Sequence, residues 1–159
     1  MTRKRSSYRP RAVISDPLSL LRPADAQRRS AVLLRFLSAL DAMARGEHPG
    51  EAEWRDLSDA INTVETLAVT LRKLDVAEVM PIVNAAIAAM VGAAKRFRDG
   101  NGMRFDAPGL QAMRVIVDVY AQCLDGLTER EMAVAQAETQ RRVNALLHAK
   151  STTHEVITV

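Results

Sequence analysis

At 159 residues, 48% hydrophobic, 26% charged and only 4% aromatic, the chain has the size and balance of one globular domain. Its core must be built from Ala, Leu, Val, Ile and Met, a composition that favours helices over sheets. The single cysteine, Cys123, excludes an intramolecular disulfide and removes any need for an oxidising compartment. No signal-peptide core follows the charged start, and no run approaches the ~18 continuous apolar residues of a membrane span, so a cytoplasmic protein without a membrane partner is expected.

The formal charge of +3 is unevenly spread. Arg3, Lys4, Arg5, Arg9 and Arg11 all fall within residues 1–15, which contain no acid, so the remainder carries 17 basic against 19 acidic groups. Attraction to nucleic acid or to an acidic protein must therefore come from this arm or from a local patch. Residues 1–16 read as a flexible basic arm, because Ser6, Ser7 and Pro10 among like charges bury too little surface to offset their ordering entropy. Asp16 and Pro17 read as an N-cap and first helical residue, with Leu18 to Leu21 forming one short turn.

The domain proper is expected over residues 17–150, followed by a loose tail over 151–159. Helix one should run from about Pro23 to Arg45, its stripe being Val32, Leu33, Phe36, Leu37, Leu40 and Met43. Helix two, from about Gly50 to Arg72, carries a heptad-like seam of Trp54, Leu57, Ile61, Val64, Ala68 and Leu71. Asp75 and Glu78 have the form of a capping box that opens helix three, which continues to Arg98 despite Pro81. Its stripe is Val79, Val83, Ile87, Met90, Ala94 and Phe97, and Gly100, Asn101 and Gly102 make the turn that follows. Helix four starts at Asp106 with Pro108 close behind and carries Leu110, Met113, Val117, Tyr120, Leu124 and Leu127. Gly126, with Thr128 and Glu131 as a second capping box, offers a break, but the apolar phase passes through it, and one helical Gly costs only about 1 kcal/mol. One long helix to Ala149 is the expectation.

The fold class is thus all-α: an up-down bundle of four long amphipathic helices with a long C-terminal helix. Val134, Val143, Leu146 and Leu147 would then lack an intrachain partner, so a homo-oligomer formed through the C-terminal part of the last helix is expected.

The layout from Tyr8, Arg9, Pro10 and Arg11 to Asp16 and Pro17, then Asn62 to Leu67 and the long helix from Leu110, resembles small helical proteins encoded in prophages of GC-rich proteobacteria. Only four lysines against many arginines agree with a GC-rich genome. The resemblance implies an accessory or regulatory product of a mobile element. It implies no activity and no residue role.

Candidate chemistries are few. His48, His148 and His154 are too scattered for a metal site, and Asp99 to Gly102 fails as a calcium or phosphate loop for want of the ligands that should follow. Cys123 among Tyr120, Leu124 and Leu127 reads as a small core residue. Asn62 and Glu65 form a polar pair that would face a ligand between helices or, more commonly, solvent. Asp118 and Asp125 are about 10 Å apart along one helix, too far for an acid and base pair. Lys95, Arg96, Arg98 and Arg104 make the densest basic patch outside the arm. With Arg3, Lys4, Arg5, Arg9 and Arg11 they are the candidate contacts for nucleic acid or an acidic partner.

No catalytic, cofactor or metal residue is assigned, and no enzyme is expected. The leading reading is a non-catalytic interaction protein, a phage-derived regulator or host-defence inhibitor, working through helical faces and the basic arm. The alternative is a nucleic-acid accessory protein with salt-sensitive, sequence-tolerant binding.

Overall fold

A computed structural model describes residues 21–23, 25–45 and 49–148, without the Leu147 side chain. The basic arm, residues 18–20 of the expected short turn and the tail lie outside the described residues. The described chain is all-helical: α1 (Ala26–Arg45), α2 (Glu51–Glu65) running into a π-helical turn (Thr66–Thr70), α3 (Val76–Arg98), α4 (Ala107–Gly126) and α5 (Glu129–His148).

Local chemistry explains the starts. Asp25 accepts from the Arg28 N–H at 2.8 Å, and Asp75 accepts from the Ala77 and Glu78 N–H groups, so both aspartates satisfy N–H groups that lack helical partners. Asp106 accepts from the Gly109 N–H at 2.8 Å with Pro108 in the first turn. Gly100 and Gly102 have φ of 80° and 79°, the left-handed backbone that the α3–α4 turn requires. Pro81 sits in the second turn of α3, on its exposed side.

The expected long last helix does not form. The chain leaves helical geometry at Leu127, with φ −106° and ψ 150°, and α5 starts afresh behind Thr128. A complete capping box holds this break: the Glu131 carboxylate accepts from the Thr128 N–H at 3.0 Å, and the Thr128 hydroxyl accepts from the Glu131 N–H at 3.2 Å. Reciprocal capping outweighs the continuing apolar phase because α5 finds surface within the chain: Thr139 is buried against Thr66 of the π turn, and Met132 is buried beside Tyr120 and Leu124 of α4. The described chain therefore has five helices rather than four. The premise for oligomerisation also changes: Val143 and Leu146 are half-buried within the chain, and Val134 remains 50% exposed.

Helix two departs from plan at its end. The Leu71 N–H donates to the Thr66 carbonyl at 2.9 Å and the Lys73 N–H to the Leu67 carbonyl at 2.8 Å, which widens the last turn. Arg72 then adopts φ 52°, a conformation that costs a side-chain-bearing residue about 1 kcal/mol. The seam is otherwise as expected, with Trp54, Leu57, Ile61, Val64 and Ala68 buried.

Two stripes need correction. On α1, Leu37 is exposed rather than buried. On α3, the buried face shifts toward Ala86, Ala89 and Ala93, leaving Ile87 and Ala94 half-buried and Phe97 59% exposed. The alanines let α4 approach closely: a Cβ on Gly109 would stand 3.2 Å from the Ala89 Cβ and 2.8 Å from the Asp106 carboxylate. Larger residues on that face would hold the helices apart. Phe36 and Tyr120 close the core between α1 and α4, edge to face with centroids 4.9 Å apart. Among the described helices α3 alone is long and apolar enough by length and composition to cross a membrane, and its Val79, Val83, Ala86, Ala89, Met90 and Ala93 face the protein core.

Candidate functional site

The basic patch divides on folding. Arg96 is a structural residue: its Nε donates to the Arg104 carbonyl at 2.9 Å, one terminal nitrogen reaches Asp106 at 3.2 Å, and the side chain runs along Gly92. It thereby ties the end of α3 to the start of α4. The Gly109 N–H, foremost, and then Arg96 hold the Asp106 carboxyl below the usual range. Lys95, Arg98 and Arg104 stay exposed, Arg98 near Asp99 at 3.3 Å. The arm residues Arg3, Lys4, Arg5, Arg9 and Arg11 lie outside the described residues.

Lys95 and Arg98 flank an apolar groove of about 630 Å³ between the start of α2 and the end of α3. Its walls are Trp54, Val91, Ala94, Phe97 and Met103, with Pro49 and Gly50 at one end. The sequence concealed this groove because Phe97 lies on the phase of the buried stripe. Only the alanine-driven rotation of α3 turns it outward.

On the other side of Trp54 is a polar cleft of about 530 Å³ between α1, α2 and α5. It exists because α5 folds back at Thr128. Arg35 comes from α1; Asp59, Asn62 and Thr63 from α2; Gln136 and Gln140 from α5. Phe36, Trp54 and Tyr120 contribute aromatic surface. Of the polar pair singled out in the sequence, Asn62 does line this cleft. Glu65 instead pairs with Arg142 at 3.3 Å.

The cleft is anchored below by buried hydroxyls. The Thr139 hydroxyl, which donates to the Ala135 carbonyl at 2.8 Å, lies 3.0 Å from the Thr66 hydroxyl, and Arg142 donates to that Thr66 oxygen at 2.9 Å. Arg35 pairs with Asp56 at 3.1 Å and lies over the Phe36 ring, 5.2 Å from its centroid. Although Asp59 is exposed as a residue, the concave setting of its carboxyl group removes solvent and pushes its pKa up; Arg35 opposes the shift, Asp56 adds to it and Arg55 opposes it. Burial likewise raises the Tyr120 hydroxyl, against a weak hydrogen bond from Gln136 at 3.5 Å.

Comparisons of the chain with protein-family models, with curated proteins and with solved structures find no match. Function must be argued from these two concavities.

Neither places an activated nucleophile. Cys123 is buried in the core, and burial pushes its thiol up to about 11, so it stays protonated at neutral pH. Among the described residues no group of three His, Cys, Asp or Glu side chains is placed to hold a metal ion. The groove offers apolar contact bordered by Lys95 and Arg98 on the α3 side and by Glu51, paired with Arg55, on the α2 side, and the cleft offers hydrogen bonds to a small polar molecule.

Proposed function

We propose that the protein is a non-catalytic interaction module, a regulator of the kind mobile elements encode, that docks an acidic amphipathic helix of a protein partner. The scaffold is an up-down packing of α1 to α4 with α5 laid across α2. The observation that carries the reading is the groove beneath Phe97: exposed apolar walls flanked by Lys95 and Arg98 match a helix with one apolar stripe and acidic borders. An exposed aromatic beside a cation is a common anchor in protein interfaces. The basic arm would add long-range attraction to the same acidic partner.

The nucleic-acid alternative draws on the same charges, yet Arg96 is engaged by Arg104 and Asp106, and the remaining cations border an apolar surface rather than a phosphate track.

Fluorescence polarisation with a 16-residue peptide tests the reading, its leucines spaced i, i+3, i+4, i+7 and its flanking positions glutamate. Binding of the acidic peptide should weaken at least tenfold in Phe97→Asp and severalfold in Lys95→Glu, with circular dichroism unchanged. Indifference to Phe97→Asp would overturn the proposal. So would tighter binding of a single-stranded oligonucleotide that vanishes when residues 1–15 are deleted.

A further inference from the structure

The outer furrow between α2 and α3 has a covered part and an open part. α5 runs antiparallel to α2: Glu131 meets Lys73 at 2.6 Å, Thr139 meets Thr66 at 3.0 Å, Arg142 meets Glu65 at 3.3 Å, and Val143 reaches Asn62. Its last turns bring Val143 and Leu146 beside Ile87 of α3, and all three are half-buried there. The same face of α3 continues through Val91 and Ala94 to Phe97, at steps of four, three and three residues, and forms the open groove of about 630 Å³ against Trp54. α5 therefore advances toward the start of α2, and a chain leaving it at His148 is directed at the uncovered stretch.

Reach and chemistry select the occupant. From Ile87 to Phe97 is ten residues of helix, about 15 Å. The nine residues from Ala149 to Ile157, outside the described residues, can span up to about 30 Å. Val156, Ile157 and Val159 bring branched apolar side chains to apolar walls, and Glu155 beside them complements Lys95 and Arg98. Glu51, on the opposite border, is already paired with Arg55. The other terminal segment fits less well. Residues 1–20 join the fold next to Arg22, whose carbonyl accepts from the Glu129 N–H at 2.8 Å, near the end of α2 remote from the groove. They also carry five cations within residues 1–15, which Lys95 and Arg98 would repel.

We propose that residues 149–159 occupy the groove of their own chain, with Val156 and Ile157 against Val91, Ala94 and Phe97 and with Glu155 toward Lys95 and Arg98. Joined to α5, the segment acts at an effective concentration of about millimolar, so a contact too weak to hold a free peptide holds it in place. An acidic helix that docks in the groove must displace it, which makes the segment a built-in competitor. The competition rests on the docking function proposed above, whereas the occupancy does not.

The test uses the full-length chain. With Cys123→Ala, Ala94→Cys puts the one thiol in the groove, and its rate of maleimide labelling reads how far the groove is covered. Val156→Asp combined with Ile157→Asp, both past the end of α5, should raise that rate at least tenfold with circular dichroism unchanged. The slow rate of the parent should persist on tenfold dilution. Equal rates in the two proteins would overturn the proposal, as would protection lost on dilution, which would place a second copy's segment in the groove. The acidic peptide separates this contact from the docking function: in a chain that keeps Ala94 and Cys123, the two Asp substitutions should tighten it severalfold. A peptide that binds equally with and without those substitutions overturns the contact and leaves the docking function standing. A peptide that binds neither chain, while the thiol at 94 is still protected by the segment, removes the docking function and supports the contact.

Discussion

The contact between α3 and α4 and the contact between α5 and the rest of the bundle are built from different physics. The first is mostly dry: Ala86, Ala89 and Ala93 of α3 and Gly109, Met113 and Ile116 of α4 are all buried, and the charged contact is Arg96 to Asp106 at the turn end. The second is largely polar. Apart from Met132 and Ala135, α5 is held by Thr139 to Thr66, Arg142 to Thr66 and Glu65, Lys73 to Glu131 at 2.6 Å and Arg28 to Glu129 at 2.9 Å. Close-packed apolar seams open only with global unfolding, whereas a helix fastened largely by polar contacts, most of them partly exposed ion pairs, releases more readily. The cleft is roofed by the helix that is easier to release, and the groove is cut into the part that is not.

Substitutions on the two sides should separate them. The largest effect is expected for Leu57→Ala: the side chain is fully buried on α2, and its truncation should cost about 2 to 5 kcal/mol in urea denaturation, with α1 to α5 lost together. Next, Thr66→Val removes the hydroxyl that Thr139 and Arg142 share and should cost about 1 to 2 kcal/mol. In native-state hydrogen exchange that loss should fall on α5 amides while α3 and α4 stay protected. Loss of protection throughout would mean the two regions are one cooperative unit.

Thr128→Ala should cost about 1 kcal/mol by removing the capping hydroxyl at the start of α5. The same junction sets a pH dependence. The Lys73 ammonium first, then the Thr128 N–H and hydroxyl, hold the Glu131 carboxyl down at about 2 against an ordinary value of 4.5. Because the folded value is the lower one, the stabilisation is present above pH 4.5 and is lost as pH falls toward 2. Glu131→Gln should lower the stability of α5 at neutral pH and flatten the acid limb of its transition in that window. The smallest effect is expected for Val134→Glu, within about 0.5 kcal/mol, because this side chain is half exposed in the single chain. Sedimentation of that variant also checks the proposed association through α5. A fall in mass would show that a second copy covers Val134.

Much of the fold was legible locally. Asp75 and Asp106 mark two helix starts by capping chemistry, and the Trp54 to Ala68 seam declares its face by spacing alone. The break before α5 was visible as the Thr128 and Glu131 capping box but was outvoted by apolar phase. What decided it is a surface distant in sequence, the hydroxyl of Thr66, which no local pattern ties to Thr139. The α3 phase was misread for a related reason: Ile87 and Phe97 look more core-like than Ala86 and Ala93, yet close approach to Gly109 selects the small side chains. Asn62 stands out in sequence as half of a polar pair that faces a ligand between helices or, more commonly, solvent, whereas Asp59, Gln136 and Gln140 look like ordinary solvent-facing polar residues. Only the return of α5 over α2 brings them together. The patch of Lys95, Arg96, Arg98 and Arg104 was found as a cluster, but its division into a structural arginine and groove-flanking cations depends on Arg104 and Asp106 across the turn.

The fold-back of α5 is the claim on which the cleft depends, and a cross-link tests it most directly. With Cys123 replaced by Ala, Thr66→Cys and Thr139→Cys are combined; in the native chain the two hydroxyl oxygens are 3.0 Å apart, close enough for the replacement sulfurs to meet. Mild oxidation should give an intramolecular disulfide in a monomer, seen as a faster-migrating band that reverts on reduction. A chain that stays reduced, or that joins only into covalent dimers, would contradict the fold-back and restore a continuous helix reaching toward a second copy.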